Sequence, residues 1–117
     1  MDGRILFLKK QFIENLQHHW TVEEMAEAVE LSPSHLQKLF KANIGIPPIC
    51  YLRELRLEKA SDLLENTFLR LKQIGVEIGM INDSHFTRDF KKKFGVTPTQ
   101  YRKNYWRKYE LENSKDN

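Results

Sequence analysis

Two groups of four polar side chains, fifty residues apart, carry the donors in this sequence best placed to do chemistry on a partner. Ser34, Gln37, Lys38 and Lys41 fall at i, i+3, i+4 and i+7, which is one continuous face of a helix. Ser84, Thr87, Arg88 and Lys91 repeat the same intervals. Hydroxyl, amide and cationic donors on one face, with no large aliphatic residue among them, are the groups that meet base edges and phosphate oxygens. A single polar stripe is ordinarily just solvated surface. Its recurrence gives it weight.

The repeat extends beyond the stripes. Ser34-His35-Leu36-Gln37-Lys38-Leu39-Phe40-Lys41, then Gly45-Ile46-Pro47-Pro48 and Tyr51, returns as Ser84-His85-Phe86-Thr87-Arg88-Asp89-Phe90-Lys91, then Gly95-Val96-Thr97-Pro98 and Tyr101. Two copies are too few for a solenoid. A doubled surface suits a partner that itself repeats, and the DNA duplex offers a major groove once per turn.

The elements that must position these stripes are all helical, since no apolar pattern has the period of a strand. Ile5, Leu8, Phe12 and Leu16 stripe a first helix that should end near His18-His19. Thr21 to Glu24 reads as a capping box opening a short helix with Met25, Ala26 and Val29 inward. Ser32-Pro33, a cap followed by a first-turn proline, starts the helix that bears the first stripe and buries Leu36, Leu39 and Phe40. The short separation of these two helices is helix-turn-helix spacing. Pro47-Pro48 opens a long fourth helix to about Glu65. A second short helix (Leu71, Ile74, Ile78) leads through a turn at Gly79-Met80-Ile81 to a helix capped by Asn82. Thr97-Pro98-Thr99-Gln100 begins the last helix, which should run to about Tyr109. The second turn is one residue longer than the first.

Composition narrows the class. At 117 residues, with 40% hydrophobic and 30% charged residues, the chain is long enough for one modest core or two small lobes. No run approaches a membrane span, and the start does not read as a signal peptide, so a cytoplasmic, nucleoid-associated location is expected. The single Cys50 allows no internal disulfide and has no apparent His or Asn partner for nucleophilic work. Residues 1–66 hold eight Lys/Arg and ten Asp/Glu, whereas residues 67–117 hold eleven and six. The basic excess, around Lys91-Lys92-Lys93, Arg102-Lys103 and Arg107-Lys108, supplies phosphate-neutralising charge.

From Met25 to Arg102 the sequence resembles the DNA-binding region of the AraC/XylS family of bacterial transcription regulators. The resemblance is carried by the Leu31–Lys41 string, by Tyr51-Leu52-Arg53-Glu54-Leu55-Arg56-Leu57-Glu58-Lys59-Ala60, by Asn82–Lys91, and by Gly95-Val96-Thr97-Pro98-Thr99-Gln100-Tyr101-Arg102. It implies an all-α fold of seven helices in two helix-turn-helix lobes joined by a long linking helix. The expected layout is a single DNA-binding domain with lobe one over 1–47, the linking helix over 48–66, lobe two over 67–110 and a frayed tail over 111–117. It further implies that the two stripe-bearing helices enter successive major-groove segments. Base-reading positions of the family match Ser34, Gln37 and Lys38 in the first lobe, and Asp83, Ser84, Thr87 and Arg88 in the second. Lys41 and Lys91 suit phosphates, and His35, repeated as His85, is expected to pack beside the stripe or to touch phosphate. Arg88 stands out because its planar fork can grip guanine O6 and N7 together. Asp83 better suits support of a helix N-terminus than base reading.

Four positions depart from the family pattern: Arg70 at a usual Ser/Thr cap, Gly75 at a packed Ala, Met80 at a turn Phe and Pro47 at a usual cap. The first three predict a softer second lobe, with Gly75 costing about 1 kcal/mol in helix propensity. Trp20 and Trp106 are expected to pack rather than to serve as stacking platforms, and His18-His19 lacks zinc-site spacing. No catalytic residue, metal or cofactor is implied. The expected partner is double-stranded DNA, bound by a monomer to regulate transcription, as an activator by family resemblance. A helical adaptor for a protein such as RNA polymerase is the rival reading.

Overall fold

A computed structural model describes residues 1–114, and among them every regular element is helical. Helix α1 spans Gly3–Glu14, α2 Val22–Ala28, α3 Pro33–Ile44, α4 Pro48–Asn66, α5 Leu71–Ile78, α6 Asp83–Phe94 and α7 Pro98–Ser114. The seven predicted helices are present in order, and α2–α3 and α5–α6 form the two helix-turn-helix pairs. Among the described residues no helix is long and apolar enough to cross a membrane.

The chain divides into two compact units, Met1–Arg56 and Leu57–Asn117, so the division falls inside α4. In the first unit Ile5, Leu8, Phe12, Met25, Ala26, Leu36, Phe40 and Leu52 form a buried core, with Leu16, Trp20, Leu31 and Tyr51 packed at its margin. In the second, Leu57, Ala60, Leu64, Ile74, Ile78, Phe86 and Phe90 do the same, flanked by Met80, Phe94 and Tyr101. Aromatic pairs cross each core: Phe40 to Tyr51 at 5.6 Å, and Phe90 edge-on to Tyr101 at 5.4 Å. Trp20 packs edge-on to Phe12 at 5.2 Å at the margin of the first core, the role expected of it, whereas Trp106 stacks at 5.6 Å on Phe68, which is itself exposed.

The helix starts follow local chemistry. The side chains of Thr21, Ser32, Asn82 and Thr97 accept from the backbone N–H groups of Glu24, His35, His85 and Gln100 at 2.9–3.2 Å. The return arms of the predicted capping boxes are engaged elsewhere: Glu24 contacts His18 Nε2, and Gln100 Nε2 donates to Asn104 Oδ1 at 2.7 Å. At α5 the polarity is reversed. Gln73 Oε1 accepts from the Arg70 N–H at 2.8 Å, so the start is held from within the helix although residue 70 is not a conventional cap.

Two ends differ from the sequence reading. Helix α1 stops at Glu14 rather than near His18-His19, because the following backbone has partners outside a helix. Trp20 Nε1 donates to Asn15 O at 3.0 Å, and Arg56 donates to Leu16 O at 3.0 Å and His18 O at 2.8 Å. Leu16 therefore joins the first core from a loop. Helix α7 continues to Ser114, past the expected end near Tyr109 and into the segment expected to fray; residues 115–117 of that segment lie outside the described ones.

The turns inside the two motifs solve one problem with different residues. Each short helix ends in a left-handed residue: Glu30 at φ 56° in the first and Gly79 at φ 79° in the second. A side chain in that region costs about 1–2 kcal/mol, which glycine avoids. Glu30→Gly is therefore expected to stabilise the first unit by about 0.5–1 kcal/mol, once the greater unfolded-state freedom of glycine is subtracted. A urea midpoint unchanged or lowered by this substitution would show that the Glu30 side chain makes compensating contacts.

Candidate nucleic-acid interface

Helix α3 buries Leu36 and Phe40 and ends at Gly45, whose left-handed φ of 98° lets its N–H donate to Lys41 O at 2.8 Å. Helix α6 buries Phe86 and Phe90 and ends the same way, with Gly95 at φ 83° donating to Lys91 O at 2.7 Å. With these faces turned to the cores, Ser34, His35, Gln37, Lys38 and Lys41 are exposed on α3. On α6, Asp83, Ser84, Arg88 and Lys91 are exposed and Thr87 is half-buried. All ten predicted site residues thus lie on the second helix of a motif, five on each. Within each motif they form a single outward-facing set.

The position along each helix sorts them by chemistry. Ser34 and Ser84 lie in the first turn, where the backbone N–H groups lack helical acceptors and the dipole is positive. Asp83 sits at the first residue of α6, beside the Asn82 cap, and its carboxylate complements that dipole. Lys41 and Lys91 lie in the last turn, where a cation is favoured by the opposite pole.

Arg88 is two-thirds exposed, and its Nε donates to Asp89 Oδ1 at 3.3 Å. That bond uses the inner nitrogen and leaves the terminal amines for a bidentate acceptor. Neither the Arg88–Asp89 contact nor its geometry is legible in the stripe, because adjacent helical residues do not normally face each other.

The basic excess of the second half is only partly surface charge. Arg102, counted in sequence among the phosphate-neutralising residues, is turned inward: Nε donates to Leu64 O at 3.1 Å, Nη1 to Leu69 O at 2.7 Å and Nη2 to Thr67 O at 3.2 Å. Burial holds its pKa below the ordinary guanidinium value. Lys93 reaches Glu58 at 3.9 Å with its side chain only 24% exposed. The exposed members of the runs are Lys91, Lys92, Lys93, Lys103, Arg107 and Lys108, with Lys93 drawn toward Glu58.

Arg102 has a counterpart in Arg56, which fastens the loop before α2 as Arg102 fastens the loop before α5. Both hold the entry to a motif, and neither role has a sequence signature, since the partners are carbonyls 33 to 40 residues away. Tyr101 adds a further tie in the second unit, its hydroxyl donating to Glu65 Oε2 at 2.7 Å. Burial, then the neighbouring carboxylate, pushes that hydroxyl up to about 12 and keeps it a donor.

This arrangement has relatives. Residues 25–104 match the family described as a helix-turn-helix domain. The lactose operon transcription activator of Staphylococcus xylosus is 37% identical over 91 residues, covering 78% of this chain and 33% of that protein. The C-terminal domain of the two-component response regulator yesN from Fusobacterium nucleatum is 32% identical, with a TM-score of 0.81 over 86% of this chain and 99% of that one. The DNA-binding domain of AdpA, solved in complex with a target DNA, has the same fold at 21% identity, with a TM-score of 0.85 over 89% of this chain and 94% of that one. The chain belongs to the AraC/XylS family of transcription regulators and corresponds to its DNA-binding region of two helix-turn-helix motifs. It spans about a third of the length of the curated relatives it matches.

Proposed function

We propose that this chain binds double-stranded DNA sequence-specifically, with α3 and α6 each entering a major-groove segment, and thereby activates transcription. It acts by binding rather than by catalysis. The observation that carries the reading is the recurrence, on the second helix of both motifs, of a stripe of hydroxyl and cationic donors at the same spacing. The first stripe includes an amide, Gln37, and the second has a half-buried hydroxyl, Thr87, at the matching place. Two reading helices in one chain make a second copy unnecessary, so a single chain per site is the expected complex. The activator role follows the likeness to the Staphylococcus xylosus protein.

In this reading Ser34, Gln37, Lys38, Ser84, Thr87 and Arg88 meet base edges. Lys41, Lys91 and His35 meet phosphates, and Asp83 supports the start of α6. Selection from randomised duplexes tests it directly: an enriched site whose affinity falls steeply with added salt is expected, because bound cations displace condensed counterions. No enrichment, or an affinity indifferent to salt, would instead favour a protein-binding adaptor.

The two kinds of contact separate by substitution. Arg88→Ala is expected to weaken the selected site by about 2 kcal/mol and to relax the base preference at one position. Lys91→Ala should weaken all sequences alike and reduce the salt slope by about one. Titrations of both variants against the selected duplex and a scrambled one, at several salt concentrations, make the check. An unchanged selected sequence for Arg88→Ala would assign that guanidinium to the backbone.

A further inference from the structure

The extra residue in the second motif's turn has left an aliphatic side chain in solvent at the mouth of α6. In the first motif Leu31 precedes the Ser32 cap and packs against the first core, in the place where a residue before a cap closes on the fourth helical residue, here Leu36. In the second motif the residue before the Asn82 cap is Ile81, and the residue four positions into the helix is Phe86. The same closure would pair Ile81 with Phe86. It does not form: Phe86 is buried, but Ile81 is 77% exposed, and the side chain packed against the second core from this turn is Met80. Met80 takes the place of Leu31, and the added residue is Ile81.

An isolated exposed aliphatic residue is commonplace on protein surfaces, so its position decides its meaning. Ile81 immediately precedes the extended Asn82 cap, so it stands outside the helix at the N-terminal end of α6, the end that also carries Ser84. The N-terminal residues of a recognition helix are the ones that approach base edges. Among Ser84, Thr87, Arg88 and Lys91 the one methyl belongs to Thr87, which is half-buried, so Ile81 brings the larger and more exposed branched aliphatic surface to that end of α6. The group on the major-groove floor with which an aliphatic side chain pairs is the thymine C5 methyl.

We infer that Ile81 is a specificity-determining residue that packs against a thymine methyl at the edge of the segment read by α6. This rests on the DNA-binding reading above. It adds an exposed aliphatic determinant beside the polar stripe of α6, and it gives the longer second turn a purpose in recognition.

The test replaces each thymine of the selected site, one at a time, by deoxyuridine, which removes only the methyl. Titrations are made with the unaltered chain and with Ile81→Ala. One position in the α6 segment is expected to lose about fourfold in affinity for the unaltered chain, the value of one buried methyl-sized group. Ile81→Ala should bind the thymine and deoxyuridine duplexes equally at that position, with its melting temperature unchanged because the side chain is exposed. The inference is overturned if methyl discrimination persists in Ile81→Ala, if no deoxyuridine substitution weakens binding, or if the selected segment has no thymine at its edge. Those results leave DNA binding intact. A chain that selects no sequence at all removes the DNA-binding reading and this inference together.

Discussion

Replacing Arg102 by methionine is expected to cost the second unit about 3 kcal/mol, although the residue looks like one more surface cation in the sequence. Methionine preserves much of the aliphatic stem and removes every donor. Three carbonyls, those of Leu64, Thr67 and Leu69, then lose a charged partner at once. The Leu64 carbonyl is among the last four of α4, which have no acceptor role left within the helix. Single bonds to a charged group contribute about 1.5–3 kcal/mol, and the sum is held down here because solvent can reach part of this loop. Arg102→Lys should recover only a fraction, since an ammonium is a compact charge and cannot reproduce the planar fork across three acceptors. Urea denaturation of the three forms makes the comparison. Equal midpoints for arginine and methionine would mean that water satisfies the loop as well as the guanidinium does.

Gly75→Val is expected to destabilise the same unit by about 3 kcal/mol, and Gly75→Ala by about 2 kcal/mol. Helix propensity alone predicts the reverse for alanine, a gain of about 1 kcal/mol. The opposing effect is steric. A Cβ on residue 75 would stand 2.7 Å from Met80 O, and that approach is held by the Met80 N–H donating to Gly75 O at 2.8 Å. Because the obstructing atom is backbone, relief requires the turn itself to move. Thermal melts of the two variants check this: an alanine variant more stable than the parent would show that the turn shifts freely. The close approach of Met80 O thus gives glycine at residue 75 a steric reason that helix propensity alone does not show.

What the sequence makes legible is chiefly what is encoded within a few residues. Thr21, Ser32, Asn82 and Thr97 announce helix starts because a cap and its acceptor lie three residues apart. The two stripes are legible because helical spacing alone puts Ser34 and Lys38, or Ser84 and Arg88, on one face. The missed features depend on contacts distant in sequence or on turn geometry. Helix α1 stops early because Arg56, forty residues on, takes the Leu16 carbonyl. Arg102 is removed from the charged surface in the same manner. The exposure of Ile81 follows from which of two adjacent apolar residues enters the core, a choice that the pattern of apolar residues leaves open. Donors on the candidate interface were therefore readable, whereas the aliphatic group beside them and the supports beneath them were not.

The division inside α4 bears on how reading specificities can be recombined. Arg56 directs its bonds to the loop at residues 16–18, while Glu58, two positions later, meets Lys93. Leu52 belongs to the first core, and Leu57, Ala60 and Leu64 belong to the second. A chimera spliced in the loop after Asn66, where an exchange of modules would conventionally be made, would graft a second motif onto another protein's Leu57, Ala60 and Leu64 and would misfit its packing. A junction between residues 56 and 57 keeps each motif with the half-helix that completes it, so the transferable cassette begins in the middle of a helix.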